Sequence, residues 1–376
     1  MGVTRLLLAT AVIMAHSGGI FGFKPLGAVA AVQSFYMISG FYMALILTEK
    51  YRGPGSYRLF LTNRLLRLYP MYWVVAIASL AVWLIASAAF GKPGPLAAGH
   101  DLNWPAHLFV RLTDVFIVGQ DLTLFLGVDS DGGLYWTKSF RATPPPYVWQ
   151  FVLVPPAWSL SIEILFYLIA PFLVRRSTPI IALVMVASLG LRGYIYFGLD
   201  LNEDPWIYRF FPTELAFFLA GSLAYRVYRW LLTQRPPRSL ALAITAFYLL
   251  VTLSYQFLPN PEFLGVFGKL WPFHALTWLV IPWLFLTSQQ SRVDRYIGEL
   301  SYPLYIVHFW VLWVIPTGWR FAGVPSESGW VSLTVWLGAV ICAIGLHHLV
   351  GVPLERYRQA RVRAAAQGKL AESGKG

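Results

Sequence analysis

Ten stretches of this chain are long and apolar enough to cross a lipid bilayer, and they follow one another along almost its whole length: 5–23, 26–48, 64–90, 157–174, 178–198, 206–228, 239–257, 271–288, 298–317 and 330–353. A spanning helix needs roughly 20 mostly apolar residues, so each stretch reads as one crossing. The expected fold class is all-α, a polytopic integral membrane helical bundle of about ten transmembrane helices. Composition points the same way. Only 12% of the 376 residues are charged, against about a quarter in an ordinary soluble chain. The 16 Trp and 20 Tyr suit the bilayer interfaces, where an amphipathic ring sits at headgroup depth. The single cysteine, Cys342, excludes an internal disulfide framework, and no Cys/His pair has zinc-site spacing, so no metal is expected.

The net charge of +12 raises nucleic acid as a partner until its distribution is followed. With the N-terminus in the cytoplasm, 20 of the 29 Lys and Arg fall on the cytoplasmic side, among them Lys50, Arg58, Arg64, Arg67, Arg235 and the tail from Arg356 to Lys375. The opposite side carries Asp101, Asp114, Asp121, Asp129, Asp131, Asp200, Glu203 and Asp204. That asymmetry is the positive-inside pattern of a multi-pass protein of the inner or plasma membrane, and it accounts for the charge without nucleic acid. Both termini are then cytoplasmic. The organisation expected is one membrane domain, 1–354, with an outward connection at 91–156, followed by a basic cytoplasmic tail, 355–376. Nothing in the sequence addresses the oligomeric state.

Two segments need separate decisions. His107 to Val128 is apolar but interrupted by Arg111, Asp114 and Asp121. A crossing there would turn every later loop inside out, so an interfacial or re-entrant piece is expected. Arg5, the run Leu6 to Ala15 and the small residues Ala15 and Ser17 resemble a secretory signal. Nine further apolar stretches follow, and the segment is read as an uncleaved first helix. Leu6 also stands where a myristoylation signal wants Ser or Thr.

Ionisable side chains at bilayer depth are costly and are functional candidates by default. His16 lies eleven residues beyond Arg5, about 16 Å higher at ~1.5 Å per residue and close to three turns on, so the two share a helix face. That places His16 near the midplane of a ~30 Å core. His308 lies ten residues into the ninth stretch, Ser39 and Gly40 reach a similar depth, and Glu163 and Glu214 enter from the outer side. Each has a plainer reading beside the functional one. His308, His274 and the His347–His348 pair suit interhelical hydrogen bonding, and Glu214 near Arg209 suits an ion pair at the outer rim. Arg5, Arg64 and Arg67 suit topological anchoring, and the aromatics of 91–156 suit a surface covering.

These residues carry a resemblance. Arg5, ten residues and His16 match the first-helix mark of the membrane acyltransferase 3 family, and Phe35-Tyr36-Met37-Ile38-Ser39-Gly40-Phe41 is similar to its second-helix motif. Arg64, Arg67 and Pro70, with Tyr69 and Tyr72 alongside, resemble its R-x-x-R-x-x-P start to the third helix. Trp158-Ser159-Leu160-Ser161-Ile162-Glu163 and the stretch from Gly298 through Ser301, Tyr302 and Tyr305 to His308 complete five motifs in the family's order. Departures are Gln33 and Ile164, where many members carry an acid, and no esterase-like domain of the kind many relatives fuse at the C-terminus follows. The resemblance therefore implies that this chain completes transfer itself or hands over to a separate partner.

The resemblance implies transfer of an acyl group, most often acetyl, from acetyl-CoA or another acyl-CoA co-substrate to a hydroxyl of a cell-envelope or secreted glycan or lipid-linked saccharide. No tightly bound cofactor is implied. The basic second-to-third connection suits the donor phosphates, so Arg58, Arg64, Arg67, Tyr69, Ser39 and Gly40 are the expected donor-binding residues. His16 is the expected general base or, equally, the carrier of a covalent acyl group. Glu163 is expected to orient His16, and Arg5 to position the donor or tune the field. His308, Ser301, Tyr305, Glu214 and Trp158 are expected around them. Two other functions fit the residues: a transporter or flippase of a lipid-linked sugar or small anion with His16 as proton relay, and acylation of a cytoplasmic small molecule.

Overall fold

The computed structural model describes residues 1–91, 101–260, 268–321, 325 and 328–373. Of the expected segments, 92–100 in the long connection and Lys375 in the tail lie outside the described residues. Ten helices alternate in direction through the bundle: α1 (Gly2–Ser17), α2 (Ala28–Glu49), α3 (Ser56–Phe90), α5 (Trp158–Leu173), α6 (Thr178–Gly193), α7 (Phe211–Gln234), α8 (Arg238–Ser254), α9 (Leu270–Ser288), α10 (Arg292–Phe321) and α11 (Gly329–Leu346). Eight of them are long and apolar enough to cross a membrane by length and composition. The other two are α1, with only 16 residues, and α7. Both pack largely inside the bundle: Leu8, Ala9, Ala11 and Ile13 of α1 and Phe218, Leu219 and Ala224 of α7 have no exposed surface, while the exposed Val227, Trp230 and Leu232 lie toward the C-terminal end of α7. A helix wrapped by other helices needs neither full span nor a fully apolar surface.

The bundle therefore has two unlike ends. One, the basic end, carries Gly2, Lys50, Arg175, Arg235 and Arg292 at the helix termini and turns. The other, the cap end, is covered by 101–157, which folds as a small unit: α4 (Trp104–Phe116), a hairpin of β1 (Leu126–Val128) and β2 (Leu134–Trp136), and several 3-10 turns. Leu102, Ala106, Val110, Leu126, Val148, Phe151 and Val152 form its own core.

Helix α4 lies along the segment expected to be interfacial or re-entrant. Trp104, Leu108, Leu112 and Val115 make an exposed apolar stripe, while Thr113 and Asp114 turn inward. The last carbonyls of a helix lack intrahelical partners. Here Tyr72 Oη donates to Asp114 O at 2.7 Å, Trp73 Nε1 to Val115 O at 3.3 Å, and Tyr69 Oη to Phe116 O. Those donors sit near the middle of the 35-residue α3, so the end of α4 reaches well into the bundle. The Asp114 carboxylate lies 2.9 Å from Arg111 and accepts from the Leu153 amide at 2.8 Å.

Several expected boundaries move: α3 begins at Ser56 rather than at 64, and α7 runs Phe211–Gln234 rather than 206–228. The first stretch was read as 5–23, but α1 stops at Ser17 because Gly18 takes the left-handed conformation, φ 89°, which ends helices readily only at glycine. The basic tail is not a mere string of charges. Helix α11 runs through a π-helical turn (His347–Gly351) into α12 (Val352–Ser373), and Arg361 ties α12 to α3 by bonds of 2.9 Å to both Thr62 and Asn63.

Candidate functional site

Helices α1 and α10 lie side by side in the same direction. At the basic end Gly2 and Gly298 meet so closely that a Cβ on Gly298 would stand 2.8 Å from the Gly2 Cα. At the other end the rings of His16 and His308 are 5.5 Å apart. Between these levels α1, α2, α3, α5 and α10 enclose a narrow cavity of about 90 Å³. Helical periodicity assembles it: α5 presents Ser159, Glu163 and Tyr167 at every fourth position, and α10 presents Ser301, Tyr302 and Tyr305. Arg5, Tyr36, Ser39, Tyr42, Arg64 and Arg67 complete its polar lining.

This middle cavity adjoins two larger ones, sharing wall residues with each. Toward the basic end it shares Arg5, Tyr42, Arg64, Arg67 and Tyr302 with a cavity of about 380 Å³ that also takes Lys50, Arg295 and Arg358. Toward the cap end it shares Val32 and Tyr305 with a cavity of about 420 Å³, lined by His16, His308, Trp149, Trp158 and Arg209. Tyr305 is the partition, its hydroxyl held by Ser159 at 2.7 Å and the Pro156 carbonyl at 3.2 Å. The three cavities thus form one line from the basic end to the space beneath the cap.

Charge is unevenly compensated along that line. Among the described residues, Arg5, Arg64 and Arg67 have no carboxylate within salt-bridge distance. Arg64 is buried, and its Nε has no partner among the described residues. Buried, unpaired guanidinium groups are expensive, and this cluster is suited to an anion. In the cap cavity Arg209 is gripped by Asp204 at 2.6 and 3.0 Å and lies 4.0 Å from the Trp158 ring centroid. Burial pulls the Arg209 guanidinium down, but Asp204 outweighs it and leaves the pKa above its ordinary value.

The two imidazoles differ. His308 is fully buried, and its Nδ1 bonds to the Tyr305 carbonyl. A carbonyl only accepts, so Nδ1 bears the proton and Nε2 of the neutral ring is an acceptor, without a partner among the described residues. His16 occupies the last turn of α1 and exposes its ring to the cap cavity. It stands at the end of its helix, under the cap, rather than midway along a longer one.

Several expected placements change. Glu163 does not orient His16: it accepts from Ser39 Oγ at 2.8 Å and from Tyr167 in the middle cavity, on the far side of Tyr305 from the imidazole. Gly40 faces a helix, not a ligand, because a Cβ there would sit 1.8 Å from the Phe218 carbonyl, and Gly221 meets Met37 in the same way. Tyr69 spends its hydroxyl on Phe116, and Arg58 is exposed on the first turn of α3, outside the lining of these cavities. Glu214 pairs not with Arg209 but with Arg192, and accepts from Gln33 at 3.1 and 3.2 Å between α2, α6 and α7. Ser301, Tyr305 and Trp158 do line the cavities.

Other lining residues escaped the sequence reading. Tyr42, Arg295 and Arg358 looked like interfacial aromatics or topological charges, which no local pattern separates from site residues. Ser161, within the same motif as Glu163, pins the cap: it donates to Asp121 at 2.6 Å and accepts from the Gly119 amide at 2.9 Å.

Residues 1–348 match the family model described as an acyltransferase domain, the third of that name. The chain is 32% identical over 162 residues to "Protein 2 in picA locus" of Rhizobium radiobacter, a match covering 43% of this chain and 73% of that protein. No solved structure matches.

Proposed function

This chain belongs to the acyltransferase family whose model spans residues 1–348, and from that premise we propose that it moves an acetyl group from acetyl-CoA to a hydroxyl of a cell-envelope or secreted glycan. It is a membrane acyltransferase; donor, acyl chain and acceptor are our reading. The observation that carries it is the line of three cavities, basic at one end, narrow in the middle and lined by two imidazoles beneath the cap.

In this reading the basic end is cytoplasmic, where acyl-CoA is made. Arg64 and Arg67, one turn apart on α3, take the donor phosphates, since guanidinium groups bind phosphate oxygens in charge-assisted pairs. The slim pantetheine arm follows the middle cavity, where Ser39, Glu163 and Tyr167 offer partners to its amides. Arg5 lines both the basic and the middle cavity and holds the donor between them. The thioester then arrives beside Tyr305, at the border of the cap cavity.

His16 acts there as general base. It takes the proton of the acceptor hydroxyl as that oxygen attacks the thioester carbonyl. The carbon–sulfur bond breaks, the ester forms, and the departing CoA thiolate takes up a proton. The His308 ring, 5.5 Å from that of His16, is the second imidazole at this site and shares the proton burden. The cap cavity, with Trp149, Trp158 and Tyr147 in its walls, offers aromatic faces and polar edges suited to a saccharide.

The test is direct. Purified protein given labelled acetyl-CoA and an envelope glycan fraction should release free thiol and label the glycan. Mass spectrometry of envelope glycans with and without the gene should show loss of acetyl esters on deletion. Thiol-free incubation mixtures and unchanged glycans together would overturn the proposal.

A further inference from the structure

The matched family segment ends at residue 348, and α12 begins at Val352. We propose that α12 is nevertheless part of the donor site, with Arg358 as a third guanidinium beside Arg64 and Arg67 for the donor's phosphates and Glu355 as an internal anion that holds Arg358 until the phosphates displace it. This rests on reading the basic cavity as the acyl-CoA site.

The first observation is which face of α12 turns inward. Arg356, Tyr357, Gln359 and Arg363 are exposed, whereas Leu354, Glu355, Arg358, Arg361 and Val362 are partly buried at helical spacing. A basic tail that only marks the cytoplasmic side would send its charges to water. Here Glu355 and Arg358 line the basic cavity together with Arg64 and Arg67.

The second is how Arg358 is held. Its side chain is only 11% exposed, its Nη1 bonds Glu355 Oε2 at 2.7 Å, and its Nε has no partner among the described residues. Glu355 keeps its other oxygen on Gln359 Nε2 at 2.9 Å and has Arg358, Arg67 and Arg64 as its charged neighbours. One carboxylate, bonded to Arg358, thus lines the same cavity as three guanidinium groups, where a phosphate could replace it.

The third is that α12 is anchored without this pair. Arg361, one turn on, makes both bonds to α3. Losing Arg358 therefore leaves the helix tied to the bundle, and its position beside Arg64 is a matter of ligand chemistry rather than docking.

The experiment measures CoA and pantetheine binding to the purified full-length protein by calorimetry, for wild type, Arg358→Ala and Glu355→Gln. Arg358→Ala should weaken CoA about tenfold, the order expected for one charge-assisted contact, and leave pantetheine, which lacks phosphates, unchanged. Glu355→Gln should bind CoA more tightly, because the competing anion is gone; a damaged fold would not do this. Unchanged CoA affinity in Arg358→Ala would overturn the inference while leaving the donor reading intact, as would equal weakening of CoA and pantetheine or weaker CoA binding by Glu355→Gln. Absence of CoA binding by the wild type would overturn both.

Discussion

His16 and His308 face each other across 5.5 Å, one from the first helix and one from the tenth, at the floor of the cavity beneath the cap. They are not equivalent. His308 has committed Nδ1 to a backbone carbonyl and is buried, whereas His16 looks into the space an acceptor would enter.

From this difference His16→Gln should lower acyl transfer by about 10²–10⁴-fold, the usual weight of general-base catalysis, while CoA binding persists. Glutamine keeps a hydrogen bond but takes up no proton at neutral pH, so it separates base from interhelical tie. Near-normal turnover by correctly inserted, monodisperse His16→Gln would refute the assignment and move it to His308. The His308→Gln variant should retain more activity than His16→Gln, and steady-state turnover of the pair measures the ranking.

Arg64 and Arg67 should act on the donor alone. The double change to Ala should raise KM for acetyl-CoA about tenfold or more, given two charge-assisted contacts, with turnover at saturating donor little changed. Donor kinetics that do not respond would leave both arginines as topological anchors.

Sidedness follows from the unlike ends of the bundle. In a variant with Cys342 replaced, a cysteine at Arg235 should be labelled by an impermeant reagent only after the cytoplasmic face is opened. One at Ser130, in the cap, should be labelled from outside. Outside labelling at Arg235 would invert the proposed orientation.

The crossing of α2 and α7 depends on two glycines. An added Cβ would stand 1.8 Å from the Phe218 carbonyl at Gly40 and 1.8 Å from the Met37 carbonyl at Gly221. Each Gly→Ala change should destabilise the protein by about 1–3 kcal/mol or more, because the backbones must part. Gly190→Ala, with nothing among the described residues within 4 Å of the added carbon, should be neutral or slightly stabilising. Melting temperatures in detergent compare the three.

Much of this molecule is local, and the sequence alone determined it. Apolar length sets the crossings, because hydrocarbon demands it of any helix, and the described helices overlap all ten expected stretches. The spacing of Arg5 and His16 put both on one helix face, and they line adjoining cavities. Helical periodicity likewise aligned Ser159, Glu163 and Tyr167 without reference to any other helix. What only the tertiary structure decided is which helix each face meets. Glu163 finds Ser39 rather than His16, Glu214 finds Arg192 rather than Arg209, and Gly40 receives a backbone rather than a ligand. Arg358 and Arg361 turn inward while Arg356 and Arg363 do not. Depth along a helix can be counted from the chain at a fixed rise per residue, but the partner across a gap depends on crossing angles and rotations that arise only when the helices pack together.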